Sequence, residues 1–283
     1  MKRTLLLSLL VLCGLCCMAY EVQYEKADSL KVMRLLQGAK GKKGTSACII
    51  HLARQLKGIP YVAHTLEVNK TEKLVVNLRQ LDCTTYVETV TALYLCVKQG
   101  RLTFKAFCDN LLKIRYRGGG KPHYLSRLHY FTDWIDDNTK QGVCREIQSP
   151  TSLFSAMQRI NVYYMSQNPG KYKALRDNPK YVGTISEQER RLNAKSYRYI
   201  PEARLANSAE LRAAVKDGDI IATTTRLKGL DIQHIGFAVW HDDGLHMLNA
   251  SSLRHKVVEE PQTLYRYLLK QKSMTGIRVV RLN

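Results

Sequence analysis

Hydrophobic positions repeat with a helical period in the first part of the chain and alternate in the last part. Residues 45–57 (TSACIIHLARQLK) place apolar side chains three or four positions apart behind Thr45 and Ser46, either of which can cap a helix. Gly58 and Pro60 predict that this helix ends there. Residues 84–99 predict a second, strongly apolar helix, which a glycine closes.

The last quarter of the chain reads as short strands separated by turns. After a short predicted helix at 208–215, strands are predicted at 220–225, 234–240, 245–252 and 277–282, with a further short candidate at 74–78. Residues 101–205 are mixed. The pattern predicts an α+β fold in which N-terminal helices pack on a small antiparallel sheet.

Strand 234–240 has two different faces, because alternate residues of a strand point to opposite sides. The set expected to face the core is Ile235, Phe237 and Val239. The opposite set, a small-residue floor with an imidazole at its edge, is His234, Gly236 and Ala238. If the next loop has an even number of residues, Asn249 faces the same side as His234, and His246 faces away.

The first 19 residues have the pattern of a secretory signal peptide. A basic start precedes an apolar run from Leu5 to Ala19, which is short for a membrane span. The mature chain is expected to begin at Tyr20 and to reach the periplasm or cell envelope. An alternative is a lipoprotein signal modified at one of its cysteines, and such a lipid anchor is the only membrane association expected; the candidates are Cys13, Cys16 and Cys17.

The 283-residue chain carries a formal net charge of +20. For an exported protein this excess favours cell-envelope polymers and anionic headgroups as partners rather than nucleic acid. The basic residues are scattered, and the one dense cluster, GAKGKKG at 38–44, reads as a solvated loop and does not fit a phosphate-binding loop.

Five cysteines follow the predicted signal peptide, namely Cys48, Cys83, Cys96, Cys108 and Cys144. An odd number in an exported protein leaves at least one thiol outside any disulfide. Cys83 stands at the start of the predicted helix 84–99, where unpaired backbone amides and the helix dipole favour an anion and lower a thiol's pKa. An inert, buried thiol is the alternative.

A cysteine at a helix start, a histidine on a strand and an amide on the next strand have the composition of a nucleophile, a base and an orienting residue. Cys83, His234 and Asn249 fit these roles. The remaining histidines and cysteines show no metal-ligand spacing, so neither a metal nor another cofactor is expected.

Residues 115–138 (RYRGGGKPHYLSRLHYFTDWIDDN) are rich in arginine, tyrosine and histidine around a glycine-rich turn. Arginine binds carboxylates with a planar fork and tyrosine offers a flat face, so the stretch could line a polar ligand site. A surface loop leading into an amphipathic helix explains it equally well. The candidates for substrate contact are Arg115, Arg117, Arg127 and Tyr130.

Five segments together resemble the NlpC-type cell-wall peptidase superfamily, which has a papain-like fold: GIPYV, LDCTTYVETV, GDIIATTT, QHIGFAVW and MLNASS. The resemblance is closest to a bacterial family described as N-acetylmuramoyl-L-alanine amidase-like, through D-C-T-T-[FY]-V-E and R-Y-R…S-R-L-H-Y. It implies that Cys83 is the nucleophile, His234 the base and Asn249 the orienting residue. Tyr61 would be an active-site wall that contacts substrate.

The resemblance also implies a domain plan and a substrate. Residues 20–283 would form a single papain-like hydrolase domain, with about 101–205 as an insertion between the cysteine and the histidine. The enzyme would be a monomer that acts on peptidoglycan or soluble muropeptides and cuts between N-acetylmuramic acid and L-Ala, with the arginines gripping stem carboxylates. The alternatives are an endopeptidase cutting the bond from D-Glu to the diamino acid, a thiol acyltransferase and a non-catalytic envelope-binding protein.

Overall fold

The computed structural model describes residues 20–283. The predicted signal peptide and its three cysteines therefore lie outside the described residues. Within the described range, no helix combines the length and apolarity that a membrane crossing requires.

The N-terminal part is mostly helical. Its elements in order are β1 (Val22–Gln23), α1 (Lys26–Ala39), α2 (Thr45–Arg54), β2 (Leu74–Val75), α3 (Cys83–Lys98) and α4 (Phe104–Arg115). Two helices were predicted from the apolar period: α2 ends three residues earlier than expected, and α3 begins one residue earlier, at Cys83 itself. Helix α3 is the central helix, and its side chains from Thr85 to Cys96 are all buried.

The middle of the chain, whose pattern was mixed, contains both short helices and short strands. Its elements are α5 (Phe131–Lys140), β3 (Cys144–Ile147), β4 (Ala156–Arg159), α6 (Tyr164–Gln167), α7 (Lys173–Asp177), α8 (Tyr181–Leu192) and β5 (Ser196–Pro201). Eight side chains within 124–192 form their own small core.

The C-terminal part supplies most of the sheet. Its elements are α9 (Ala209–Ala214), β6 (Ile220–Thr225), β7 (Ile232–His241), β8 (Gly244–Ser251), β9 (Lys256–Glu259), α10 (Leu264–Leu269) and β10 (Met274–Leu282). The strand order is β4-β5-β10-β6-β7-β8-β9, with β3 also paired to β10, and every pairing within this sheet is antiparallel. The predicted small sheet is thus eight-stranded, because β9 and three strands of the middle segment, β3, β4 and β5, join the four predicted C-terminal strands.

The sheet is buried on both faces. Helix α3 packs on one face, where Tyr86 meets Phe237 edge-on with ring centroids 5.8 Å apart. On the other face, Ala238 and Met247 pack in a second core beneath α9 and α10. The expected alternation of side chains on β7 is therefore present. The face that carries Ala238, however, is buried in the second core along most of the strand and is not open to solvent.

Candidate active site

A local hydrogen-bond pattern fixes Cys83 as the first residue of α3. The Asp82 side chain accepts from the Thr85 amide at 2.8 Å, and the Thr85 hydroxyl accepts from the Asp82 amide at 2.9 Å. This reciprocal cap satisfies two backbone amides and sets the helix start. The thiol therefore projects from the first turn of a rigid, buried helix.

Tyr61 lies beside this helix start. The amide of Val62 donates to the carbonyl of Leu81 at 3.1 Å, and that of Leu81 donates to the carbonyl of Pro60 at 3.0 Å. Burial raises the pKa of Tyr61 to about 12, and the adjacent Cys83 adds to the rise. Tyr61 therefore lies near the thiol, but it is not among the residues that line the cavity shared by Cys83 and His234, and its contact with substrate stays a prediction.

His234 and Asn249 meet across β7 and β8. A two-residue turn joins these strands, with His241 paired to Gly244, and this even-numbered loop places Asn249 on the side of His234. The His234 Nε2 atom lies 2.9 Å from the Asn249 Oδ1 atom. Because Oδ1 can only accept, Nε2 carries the proton, and Nδ1 is left as the basic nitrogen.

Cys83 and His234 line one cavity of about 190 Å³. Cys83 is partly exposed there, and the backbone amide of Ile235, the residue after His234, is a hydrogen-bond donor to its sulfur. The two predicted groups therefore face a common space at the junction of α3 and β7, as a nucleophile and a base require.

The middle segment builds the opposite wall of this cavity. Four of its aromatic side chains line it, namely His129, Tyr130, Phe131 and Tyr172. The Tyr130 hydroxyl donates to Glu189 Oε1 at 2.7 Å, so its ring and not its hydroxyl is available. The wall is therefore largely flat and aromatic.

Asp231 provides the one carboxylate of the cavity lining, and no lysine or arginine lines it. Its Oδ2 atom accepts from the Thr132 amide at 2.7 Å, near the start of α5. Oδ1 has no hydrogen-bond partner among the described residues. The cavity lining thus includes one carboxylate and no cationic side chain.

At the Cys83 thiol, burial has a larger effect on the pKa than the position at the helix start has. Desolvation raises the pKa of Cys83 to about 12, Asp82 adds to the rise, and hydrogen bonds from Ile235 and Thr84 oppose it. The lowered thiol pKa expected from the helix position is thus not what the structure indicates. An isolated thiolate is unfavourable here, so ionisation requires transfer of the proton to a base.

Both histidines of the cavity are biased toward the neutral form. Desolvation lowers the pKa of His234, while the hydrogen bond to Asn249 and the charge of Glu260 oppose the change. Desolvation and the Arg127 charge lower the pKa of His129 to about 3. The His129 Nε2 atom lies 2.8 Å from the carbonyl oxygen of Tyr124 and donates to it, which makes Nδ1 an acceptor over the working pH range.

The three candidate arginines lie outside this cavity lining, each beside a carboxylate. The Arg115 Nε atom donates to buried Glu88 at 2.7 Å. Arg117 pairs with Asp133 through both terminal nitrogens, and Arg127 lies between Glu67 and Glu72. The predicted contact with stem carboxylates therefore stays a prediction that this placement does not favour.

Sequence reasoning passed over five residues of the site: Asp82, His129, Tyr172, Asp231 and Glu260. Asp82 and His129 stand in the quoted segments, so their position beside the candidates was a usable signal. Asp231, three positions before His234, carried the same signal. Tyr172 and Glu260 reach the site only through tertiary folding, and no local pattern marks them.

The four cysteines other than Cys83 that the structure describes are buried and unpaired. Among residues 20–283, no group of three or more histidine, cysteine, aspartate or glutamate side chains is arranged to hold a metal ion.

The profile of the AmiA-like family, described as N-acetylmuramoyl-L-alanine amidase-like, matches residues 51–277. The chain belongs to this family. The matched range includes every cavity residue described above. No curated protein matches the chain.

Solved structures agree with membership in the AmiA-like family. An N-acetylmuramoyl-L-alanine amidase from Bacteroides uniformis ATCC 8492 is 38% identical with a TM-score of 0.78, and the match covers 85% of this chain and 100% of that one. A Bacteroides fragilis protein with a provisional xylanase name is 39% identical with a TM-score of 0.75, over 81% of this chain and 98% of that one. A Legionella pneumophila protein at 22% identity and a TM-score of 0.69, over 90% and 94% of the two chains, shares the fold.

Proposed function

We propose that the protein is an exported cysteine amidase that cleaves the bond between N-acetylmuramic acid and L-Ala in peptidoglycan or soluble muropeptides. Its AmiA-like family already indicates an amidase-type hydrolase acting on peptidoglycan. One observation carries the cysteine mechanism: Cys83 shares a cavity with His234, whose Nε2 is committed to Asn249 so that Nδ1 is free to act as the base.

The reaction follows from these positions. The Cys83 thiol gives its proton to His234 Nδ1 as the sulfur attacks the lactyl carbonyl of the muramoyl group. Backbone amides at the start of α3 stabilise the oxyanion of the tetrahedral intermediate. The imidazolium then protonates the departing L-Ala nitrogen, leaving a thioester. A water molecule, deprotonated by His234, hydrolyses the thioester and restores the thiol.

The cavity wall favours the amidase over the D-Glu endopeptidase. Around the bond from D-Glu to the diamino acid, the stem carries carboxylates, which a site lined by Asp231 and no cation would repel. An amino sugar instead presents hydroxyl and amide N–H donors, which Asp231 Oδ1 and His129 Nδ1 can accept. Its apolar ring face suits the aromatic wall.

The architecture and location belong to the same proposal. The pairing of α3 with the β6–β10 part of the sheet supports a papain-like core, with residues 101–205 inserted between its cysteine and its histidine. The apolar segment 1–19 supports export, and a net charge of +20 suits an anionic cell-envelope polymer.

The test compares the chain from Tyr20 with its Cys83→Ala variant on defined muropeptides by mass spectrometry. The amidase releases an intact stem peptide, and Cys83→Ala does not. Cys48→Ala, which removes a buried thiol of α2, is the matched control and should retain activity.

The other outcomes select the alternatives. Release of a sugar-linked L-Ala–D-Glu fragment would make the protein an endopeptidase, and products coupled to added amines would make it an acyltransferase. Cleavage that persists in Cys83→Ala would exclude the cysteine mechanism. If folded wild-type protein cleaved no muropeptide, the non-catalytic envelope-binding role would be the alternative that remains.

A further inference from the structure

Glu260 lies behind the His234–Asn249 pair with a firmly held backbone. Its amide donates to the Met247 carbonyl at 2.9 Å, and its carbonyl accepts from His246 Nδ1 at 2.8 Å. Its side chain is 2% exposed. The carboxylate is therefore held at one place next to β8.

This carboxylate contacts the Asn249 amide. The Asn249 Nδ2 atom donates to Glu260 Oε1 and to the Met247 carbonyl, both at 3.4 Å, while Oδ1 faces His234 at 2.9 Å. An asparagine amide can rotate by half a turn, and the rotated form would point N–H groups at His234 Nε2. That form would stabilise the tautomer with the proton on Nδ1, in which the base is blocked.

Charge acts in the same direction as the hydrogen bond. The Glu260 carboxylate favours the protonated imidazole of His234 against its desolvation. In the proposed reaction, that imidazolium forms when His234 takes the proton of the thiol and again when it takes a proton from water. A negative charge behind the base therefore stabilises the charged intermediate more than the resting state.

We propose that Glu260 is a positioning residue for the amidase reaction: it fixes the Asn249 amide with Oδ1 toward His234 and places a buried negative charge behind the base. This inference rests on the function proposed for Cys83 and His234. It adds Glu260 as a fourth group behind Cys83, His234 and Asn249, the three that the sequence indicates.

Several other ionisable groups surround the pair and set the background for a titration. Arg254 in the β8–β9 turn lies 3.7 Å from Glu260 Oε2, with half of its side chain exposed. Asp82 also acts on His234, Tyr267 of α10 is affected by both Glu260 and Cys83, and His246 is bonded to the Glu260 carbonyl. His129 and Asp231 line the same cavity as His234.

The first experiment measures the His234 pKa by NMR in the Cys83→Ala background, where no thiol titrates nearby. Glu260→Gln is nearly isosteric and keeps an acceptor for Asn249, so it removes only the charge. We expect it to lower the pKa of His234. Arg254→Gln, which removes the cation beside Glu260, is the matched control of opposite sign and should raise it.

The second experiment measures amidase kinetics in the chain with Cys83 present. Glu260→Ala removes both acceptor and charge and should lower kcat roughly 10- to 100-fold, by analogy with the loss of an outer partner of a metal-ligating histidine. Glu260→Gln should recover much of that loss. Adding Asn249→Ala to Glu260→Ala should lower kcat only slightly further, because the asparagine has already lost its fixed orientation in the single variant.

The outcomes separate the two proposals. An unchanged His234 titration in Glu260→Gln, or fully additive losses in the double variant, would show that Glu260 only supports the fold and would overturn the inference. Wild-type protein that cleaves no muropeptide would instead overturn the proposed function, while the NMR titration would still measure the effect of Glu260 on His234.

Discussion

Gly236 and Asn249 are in such close contact that no side chain fits between them. A β-carbon at Gly236 would lie 2.8 Å from the Asn249 β-carbon and 2.8 Å from the Leu248 carbonyl oxygen. The backbone dihedrals of Gly236 are not in the left-handed region, so the glycine is required for space and not for conformation. Gly236, two residues after His234 on β7, thus leaves the space that Asn249 needs to orient the imidazole of His234.

Gly236→Ala should therefore damage the site. The added methyl group pushes Asn249 away from His234, and overpacking of a buried position costs about 1–3 kcal/mol of stability. We expect kcat to fall in protein that is still folded at 25 °C. Gly183→Ala is the control: its β-carbon meets nothing within 4 Å on helix α8, and kcat should not change. An active Gly236→Ala variant would mean that the pair tolerates displacement.

The pH dependence of kcat/KM should show a low acid limb. His234 must be neutral to accept the thiol proton, and desolvation lowers its pKa from 6.5. The midpoint of the acid limb should therefore lie below pH 6.5, so that more than half of the plateau activity remains at that pH. A profile measured across pH 4–9 (about the span over which histidine titrates) checks this. An acid limb at or above the ordinary histidine value would contradict it.

Alkylation of Cys83 should reveal its raised thiol pKa. Because desolvation raises that pKa to about 12, the rate with iodoacetamide should stay low at neutral pH and climb only in strongly alkaline solution. Mass spectrometry of the Cys83 peptide over a pH series measures the rate. A profile with an apparent pKa below the usual 9 would show instead a resting thiolate–imidazolium pair.

Asp231→Asn tests the acceptor wall. The asparagine Oδ1 can still accept from the Thr132 amide, so the start of α5 is retained while the free carboxylate oxygen becomes an N–H donor. A hydrogen bond to a charged group contributes about 1.5–3 kcal/mol, so KM for a muropeptide should rise roughly tenfold or more. An N-acyl-L-Ala peptide without the sugar is the control substrate. Equal effects on both substrates would show that Asp231 does not contact the sugar.

Arg115 and Glu88 distinguish a substrate contact from a structural ion pair. Arg115→Ala leaves the Glu88 charge buried and unpaired, which should cost about 3–5 kcal/mol of folding stability. The double variant Arg115→Met/Glu88→Leu removes both charges and should recover most of that stability. Thermal unfolding and amidase kinetics are measured together. Loss of activity in the stable double variant would restore Arg115 as a substrate-binding residue.

Local rules were enough to predict the pair on the sheet. The period of two along a strand puts His234 and Asn249 on one side, provided that the hairpin between them is even-numbered, and its paired His241 and Gly244 make it so. The helical spacing of apolar residues, together with Gly100, predicted most of the length of α3. These features depend on residues close together in the sequence, so the sequence pattern is enough to predict them.

The cavity wall and the third neighbour of the base could not be predicted in this way. Tyr172 and Glu260 reach the site only after distant segments pack together. Arg115 shows the same limit: its type indicates a carboxylate partner, but only the fold determines that this partner is Glu88, 27 positions earlier in the chain. Composition indicates the chemistry of such residues and leaves their partners open.

Strand β10 is covered on the side away from β6 by two strands of the middle segment: β3 pairs with residues 279–282 and β5 with residues 276–277. Without these partners, a long apolar strand would present unpaired amides and carbonyls to other molecules, which is the common route to edge-to-edge aggregation. Residues 101–205 are thus not a removable accessory that tunes recognition. Evolution or engineering can vary the segments 128–131 and 164–181 that border the cavity, but only while the strands that protect β10 are kept.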